Sequence, residues 1–224
     1  MKLENDRIHP LSDWSTDPEE AANTITHGLG LLLSILGAIA LAIWVLRERD
    51  FWRLLGGMIY ASSLVAVYAT STLSHGCSAP NRKRFFRMLD QGFIYVLIVA
   101  TYTPFSLVFL RTGPWWLFLA VMWALAMFGF LSKILLAHRI DGASVWLYVV
   151  LGWMPVVAAT SLARFVPGTG LWWMLIGGLC YTVGTVFLIF DNRVRHFHAL
   201  WHVFVIAGSA CHFFVILLFV APLT

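Results

Sequence analysis

The sequence predicts an all-α membrane protein, a bundle of seven transmembrane helices with its N-terminus in the cytoplasm and its C-terminus outside. Three observations carry that prediction. The 224 residues are 60% hydrophobic and only 12% charged, with a mean hydropathy of +0.80, whereas a soluble domain is about half apolar and about a quarter charged. The apolar residues gather into seven stretches near the ~20 residues a helix needs to cross a bilayer, without the strand-like alternation of a β-barrel. The Lys and Arg residues fall unevenly on the two sides of those stretches.

In chain order the expected spans are 27–46, 54–75, 90–110, 114–137, 143–163, 171–191 and 198–220, preceded by a cytoplasmic segment, 1–26. Short breaks separate most of them: Arg47-Glu-Arg-Asp50, Arg111-Thr-Gly-Pro114, Arg139-Ile-Asp-Gly142, Pro167-Gly-Thr-Gly170 and Asp191-Asn-Arg-Val-Arg195. The one long connection, Gly76 to Leu89, carries Arg82, Lys83, Arg84 and Arg87 and, with Phe85 and Phe86, suits contact with anionic lipid. Pro104 and Pro155 fall inside spans three and five and are expected as tolerated kinks. Residues 1–22 lack a cationic start leading into a short apolar core, so no cleaved signal peptide is expected, and insertion is assigned to the first span.

Orientation follows from the basic residues. Lys2, Arg7, Arg82, Lys83, Arg84, Arg87, Lys133, Arg139, Arg193 and Arg195 lie on the N-terminal side, and Arg47, Arg49, Arg53, Arg111 and Arg164 on the other, ten against five. Cytoplasmic flanks are enriched in such charges. The net charge of +4 and pI near 9.2 are explained by these flanks, so no nucleic-acid partner is implied. Cys77, Cys180 and Cys211 are an odd count without paired spacing, which excludes a disulfide framework.

With this orientation the histidines collect in one layer. His198 and His202 lie four apart on one face at the mouth of span seven. His75 ends span two and Asp90 begins span three, so both share the inner level with the pair, and Ser71 lies one turn deeper than His75 on the same face. An HxxxH pair without further context is a weak pattern. Three imidazoles with a nearby carboxylate, however, form the ligand set of a catalytic-type zinc site, with a fourth position left for water. Asp90 is expected to hold that water or orient an imidazole, or else to cap span three. Ser71 is read either as a contact of this site or as a hydroxyl bonded back to its own helix. A covalent-nucleophile role does not suit Ser71, because no separate His–Asp pair is at hand to activate it.

Other polar groups compete for attention. His212 lies on nearly the same face as His198 but about 21 Å deeper at 1.5 Å per residue, too far for the same ion, and is expected as a buried polar contact. Glu19, Asn23 and His27 recur one turn apart along one edge and are expected either to enter the inner layer as supporting or substrate contacts or to form an amphipathic start to span one. Cys77 is expected as an unpartnered loop thiol.

These residues carry a resemblance. Glu19-Glu20 through His27-Gly28, Ser71-Thr-Leu-Ser-His75, Leu89-Asp90, Gly152-Trp153, His198-Ala-Leu-Trp-His202 and Gly208-Ser-Ala-Cys-His212-Phe occur in the order seen in the bacterial hemolysin III family. That family belongs with the progestin and adiponectin receptor-like membrane proteins, and the resemblance covers nearly the whole chain from about residue 18. It implies a zinc ion near the cytoplasmic face, held by His75, His198 and His202, with Asp90 close to the metal's water and Ser71 nearby. It further implies a place in the bacterial inner membrane and, as one activity, hydrolysis of a ceramide-like lipid amide. A zinc-clamped regulator or sensor of membrane state and a cytolytic pore are the alternatives. Long extramembrane extensions of the receptor members are not matched, so a hormone-receptor role is not expected. Membrane lipids are the expected partners. Small residues such as Gly56-Gly57, Gly177-Gly178 and Gly184 permit close helix packing within or between chains, which leaves the oligomeric state open.

Overall fold

The structure is a computed structural model that describes residues 17–135 and 143–222. The expected cytoplasmic segment up to residue 16, the end of span four and the Arg139–Gly142 break lie outside the described residues. The elements are α1 (Pro18–Glu48), α2 (Phe51–Gly76), α3 (Pro80–Phe109), α4 (Trp115–Leu135), α5 (Ala143–Trp153), a 3₁₀ stretch (Met154–Ala158), α6 (Ala159–Leu162), α7 (Gly168–Ile189), α8 (Phe197–Val215) and a π turn (Ile216–Val220). Among the described residues there is no strand. Among the described residues, seven helical segments are long and apolar enough to cross a membrane, the fifth running from Val145 to Leu162.

Two helices start earlier than their apolar spans. Asp17 caps α1 by accepting from the Glu19 N–H at 2.9 Å, and Pro18 follows. Pro80 likewise opens α3, so the connection from α2 shrinks to Cys77–Ala79 and the basic run forms the first turns of a helix, not a long loop. Hydropathy marks where a helix enters the apolar layer and is blind to turns built in the headgroup zone. Asp90 therefore sits well inside α3 and cannot cap it. The two prolines also differ in effect. Pro104 is absorbed within a continuous α3, whereas Pro155 falls where the fifth span tightens into 3₁₀ geometry.

α1 packs on α2 and α8, α2 on α3, α3 on α4 and α5, α5 on α7, and α7 on α8. Lipid offers no hydrophobic reward for such contacts, so close approach and interhelical hydrogen bonds must hold the bundle together. At Gly30 a Cβ would meet the Tyr68 ring at 2.6 Å, and at Gly56 it would meet the Pro104 backbone at 2.8 Å. Tyr68 donates to Ser209 Oγ at 2.9 Å, Tyr60 to the Ser209 carbonyl at 3.3 Å, and Tyr148 to the Gln91 carbonyl at 2.8 Å. Trp153 Nε1 donates to Thr182 Oγ1 at 2.9 Å. Leu29, Leu32, Leu36, Leu117, Phe128, Trp146 and Trp172 are exposed, as a lipid-facing surface requires. At the far end Arg53 donates to the Val220 and Pro222 carbonyls, a cation at the end of the last helix where its dipole favours one.

Candidate metal centre

The end of the bundle that holds the start of α1 also holds the histidines. α1 and α2 run antiparallel in close register, so residue 20 of one meets residue 75 of the other. The short turn before α8 returns the chain to the same level. His75, His198 and His202 thereby converge: one ligand atom from each lies within 4.8 Å of the others, and their ring centroids are 4.6–5.1 Å apart. His75 and His202 are buried, at 6% and 1% exposure, while the His198 side chain is 25% exposed and is the accessible member.

The hydrogen bonds around the three rings assign their tautomers. His75 Nδ1 lies 2.7 Å from Glu20 Oε2 and His198 Nδ1 lies 2.7 Å from Asp191 Oδ2. A carboxylate only accepts, so both Nδ1 atoms donate. His202 Nδ1 lies 3.1 Å from Thr26 Oγ1, whose single proton already goes to the Ala22 carbonyl at 2.8 Å, so this Nδ1 donates too. Each ring then keeps its lone pair on Nε2. Carboxylate or hydroxyl acceptors behind each imidazole are the support that metal-ligating histidines use to fix ring and tautomer. The three side chains fit a metal ion by donor type, spacing and protonation.

α1 braces the cluster. Glu20 Oε1 also accepts from Lys83 Nζ on α3 at 2.8 Å, while Glu19 accepts from the His196 N–H at 3.2 Å. His196 is left-handed, with φ 65°, an uncommon conformation for a non-glycine residue, and the Glu19 bond ties that strained residue at the head of α8 to α1. Adjacent glutamates thus tie α1 to three helices. Asn23 and His27 are buried, and the His27 ring stacks on His202 with centroids 3.5 Å apart.

The structure brings most of the expected residues together. Asp90 reaches the cluster from α3, its carboxylate close to His198 and to the Ser71 and Ser74 hydroxyls. Ser71 is fully buried and its hydroxyl does not bond back to its own helix; it lies beside Asp90 without a hydrogen bond of ordinary geometry. His212 stays apart, stacked on Tyr181 at 5.7 Å, and Cys77 is a free thiol outside the cluster. Sequence reasoning missed Glu20, Asp191 and Thr26 as the groups behind the imidazoles. The helical spacing of the buried stripe of α1, Asn23, His27, Gly30, Ser34, Leu41, Val45, carried back from Asn23 by three or four residues, reaches both Glu20 and Glu19 and does not choose between them.

Fold and site together define a multi-pass integral membrane protein whose polar cluster of three histidines can hold a metal ion at one end of a seven-helix bundle. The family model described as "Haemolysin-III related" matches residues 16–213. The chain is 39% identical over 204 residues to "Hemolysin-3" of Bacillus cereus, covering 91% of this chain and 93% of that one. It is 37% identical over 204 residues to the "Hemolysin-3 homolog" of Bacillus subtilis, covering 91% and 95%. It is also 29% identical over 209 residues to the human "Monocyte to macrophage differentiation factor", covering 88% and 83%. The chain belongs to the hemolysin III family, as its motifs suggested, and is a multi-pass protein of the bacterial plasma membrane.

Proposed function

We propose that the protein is a zinc-dependent hydrolase of a ceramide-like lipid amide, acting at the cytoplasmic leaflet. The observation that carries this reading is the meeting of three imidazoles whose ligand atoms lie within 4.8 Å of one another, each with an acceptor beside its Nδ1. Three neutral imidazoles with room for a further ligand are the donor set of catalytic zinc, whereas structural zinc usually has four protein ligands. Bound there, zinc supplies Lewis acidity toward a carbonyl and makes water nucleophilic at neutral pH. The excess of Lys and Arg at this end of the bundle supports the cytoplasmic side as its place.

The chain's own residues supply the rest. Hydrolysis breaks the amide C–N bond, adds water's oxygen to the acyl carbon and delivers a proton to the departing amine. Asp90 holds the proton taken from water at its carboxylate and returns it to the amine nitrogen. The Ser71 hydroxyl, buried beside that carboxylate and not bonded back to its own helix, can turn its proton to it. His198, the exposed ligand, faces the side from which a lipid headgroup arrives. The exposed apolar helix surfaces let the acyl chains remain in the bilayer while the amide reaches the cluster.

A second reading is favoured by the placement of the ligands. His75 belongs to α2 and the other two to α8, so zinc would clamp two helices that meet mainly through a few side chains, as a regulator of membrane state would need. Turnover separates the two readings. Purified wild type and Asp90→Ala would be offered a panel of lipid amides and esters with mass-spectrometric detection. Product from wild type alone supports the hydrolase; metal-loaded protein that leaves every lipid intact supports the clamp.

A further inference from the structure

Beside the three histidines lie polar atoms that no protein group satisfies. The Asn23 Oδ1 and both ring nitrogens of His27 are buried without a hydrogen-bond partner, in residues only 4% and 3% exposed. His27 is held face-on to His202 at 3.5 Å and edge-on to Tyr68 at 5.2 Å, and Asn23 precedes it by one turn on the same face of α1. Unpaired buried polar groups weaken a fold, and apolar side chains of the same shape would do no harm there. Two such residues against the histidine cluster leave a donor and acceptors open to a guest.

Their chemistry limits what that is. A neutral imidazole presents one N–H and one lone pair, and Asn23 Oδ1 only accepts. Together they require a group that both donates and accepts. A secondary amide with its N–H and C=O meets that demand, the more so with a neighbouring hydroxyl. An ester, a carboxylate or a phosphate diester offers acceptors alone and leaves Asn23 Oδ1 and the imidazole lone pair unfilled. We infer that Asn23 and His27 form the subsite that reads the amide group of the lipid and sets amide against ester. This rests on the hydrolase reading for its substrate but concerns recognition, which can be measured without turnover. A site built to hydrogen-bond a substrate N–H discriminates strongly against the analogue that lacks it.

The test uses full-length, zinc-loaded protein in detergent, as wild type, Asn23→Leu and His27→Phe. Asn23→Leu keeps the side-chain shape, and His27→Phe keeps a stacked ring without its nitrogens. The probes are a short-chain ceramide and the matching lipid in which the amide N–H is replaced by an ester oxygen. Metal content, melting temperature with and without probe, KM and kcat are measured for each. The inference expects both variants to keep their metal and to melt at or above the wild-type temperature. It expects the ceramide-induced shift to disappear and KM for ceramide to rise by about tenfold or more, the size of one lost hydrogen bond. The ester should change little, so that the amide-to-ester preference collapses. An unchanged preference overturns the inference while the hydrolase reading stands, and would mean that only internal water meets these atoms. Loss of metal in either variant also overturns it, since the side chains then serve the metal cluster. If wild type binds ceramide without cleaving it and the variants lose binding, the hydrolase reading falls and the recognition site stands. If wild type neither binds nor cleaves ceramide, both fall.

Discussion

At the residue scale, the acceptors behind the imidazoles matter as much as the imidazoles. Asp191 fixes His198 and Glu20 fixes His75. Removing such a group typically costs about 10–100-fold in metal affinity. Asp191→Ala and Glu20→Ala are therefore expected to weaken zinc binding by that factor in competition against a chelator of known affinity. Glu20→Ala should also lower the melting temperature, because it leaves Lys83 buried without that ion pair. Asp90→Asn is expected to keep the metal and lose turnover by about 10²–10⁴-fold, the range for a lost proton-transfer group; equal loss of metal and turnover would make Asp90 a support of the ligands. The meeting of the three histidines was legible in the sequence. His198 and His202 share a face by their four-residue spacing, and counting spans put His75 at their depth. Glu20 and Asp191 were not legible as partners, because a carboxylate beside a membrane helix serves a cap, a lipid headgroup or an imidazole with the same local sequence. Only the tertiary register of α1 on α2 selects Glu20 over Glu19.

At the scale of the elements, small residues set how closely helices approach. Gly30 lies under the Tyr68 ring, where a Cβ would sit 2.6 Å from ring carbons, whereas a Cβ on Gly178 would meet nothing within 4 Å. Gly30→Ala is expected to destabilise by about 1–3 kcal/mol through forced displacement of Tyr68. Gly178→Ala is expected to be neutral or to stabilise by up to about 1 kcal/mol through helix propensity. Thermal unfolding in one detergent compares the two, and equal shifts would contradict the packing account. The helices were legible as apolar runs, but their beginnings were not. Pro18 and Pro80 start helices among charged residues, where hydropathy has no signal and helix N-terminal chemistry does. Pro155 shows the opposite limit: the same residue type that α3 absorbs at Pro104 accompanies a 3₁₀ segment in the fifth span, and neighbouring contacts decide which.

At the scale of the whole molecule, the bundle is polarised. The histidines, their acceptors and the basic start of α3 occupy one end, and the other end closes on Arg53 beneath the last helix. The proposal that the histidine end faces the cytoplasm rests on its excess of Lys and Arg, and it predicts that a C-terminal alkaline phosphatase fusion is active and a C-terminal green fluorescent fusion dark. The reverse pattern would place the cluster outside and remove the cytoplasmic leaflet as the source of substrate. Everything proposed for this molecule depends on a metal at the three histidines. The most direct measurement is elemental analysis of the purified protein beside His75→Ala, His198→Ala and His202→Ala. The account predicts about one zinc per wild-type chain, lost in all three variants. Wild-type protein without zinc, or variants that retain it, would contradict it.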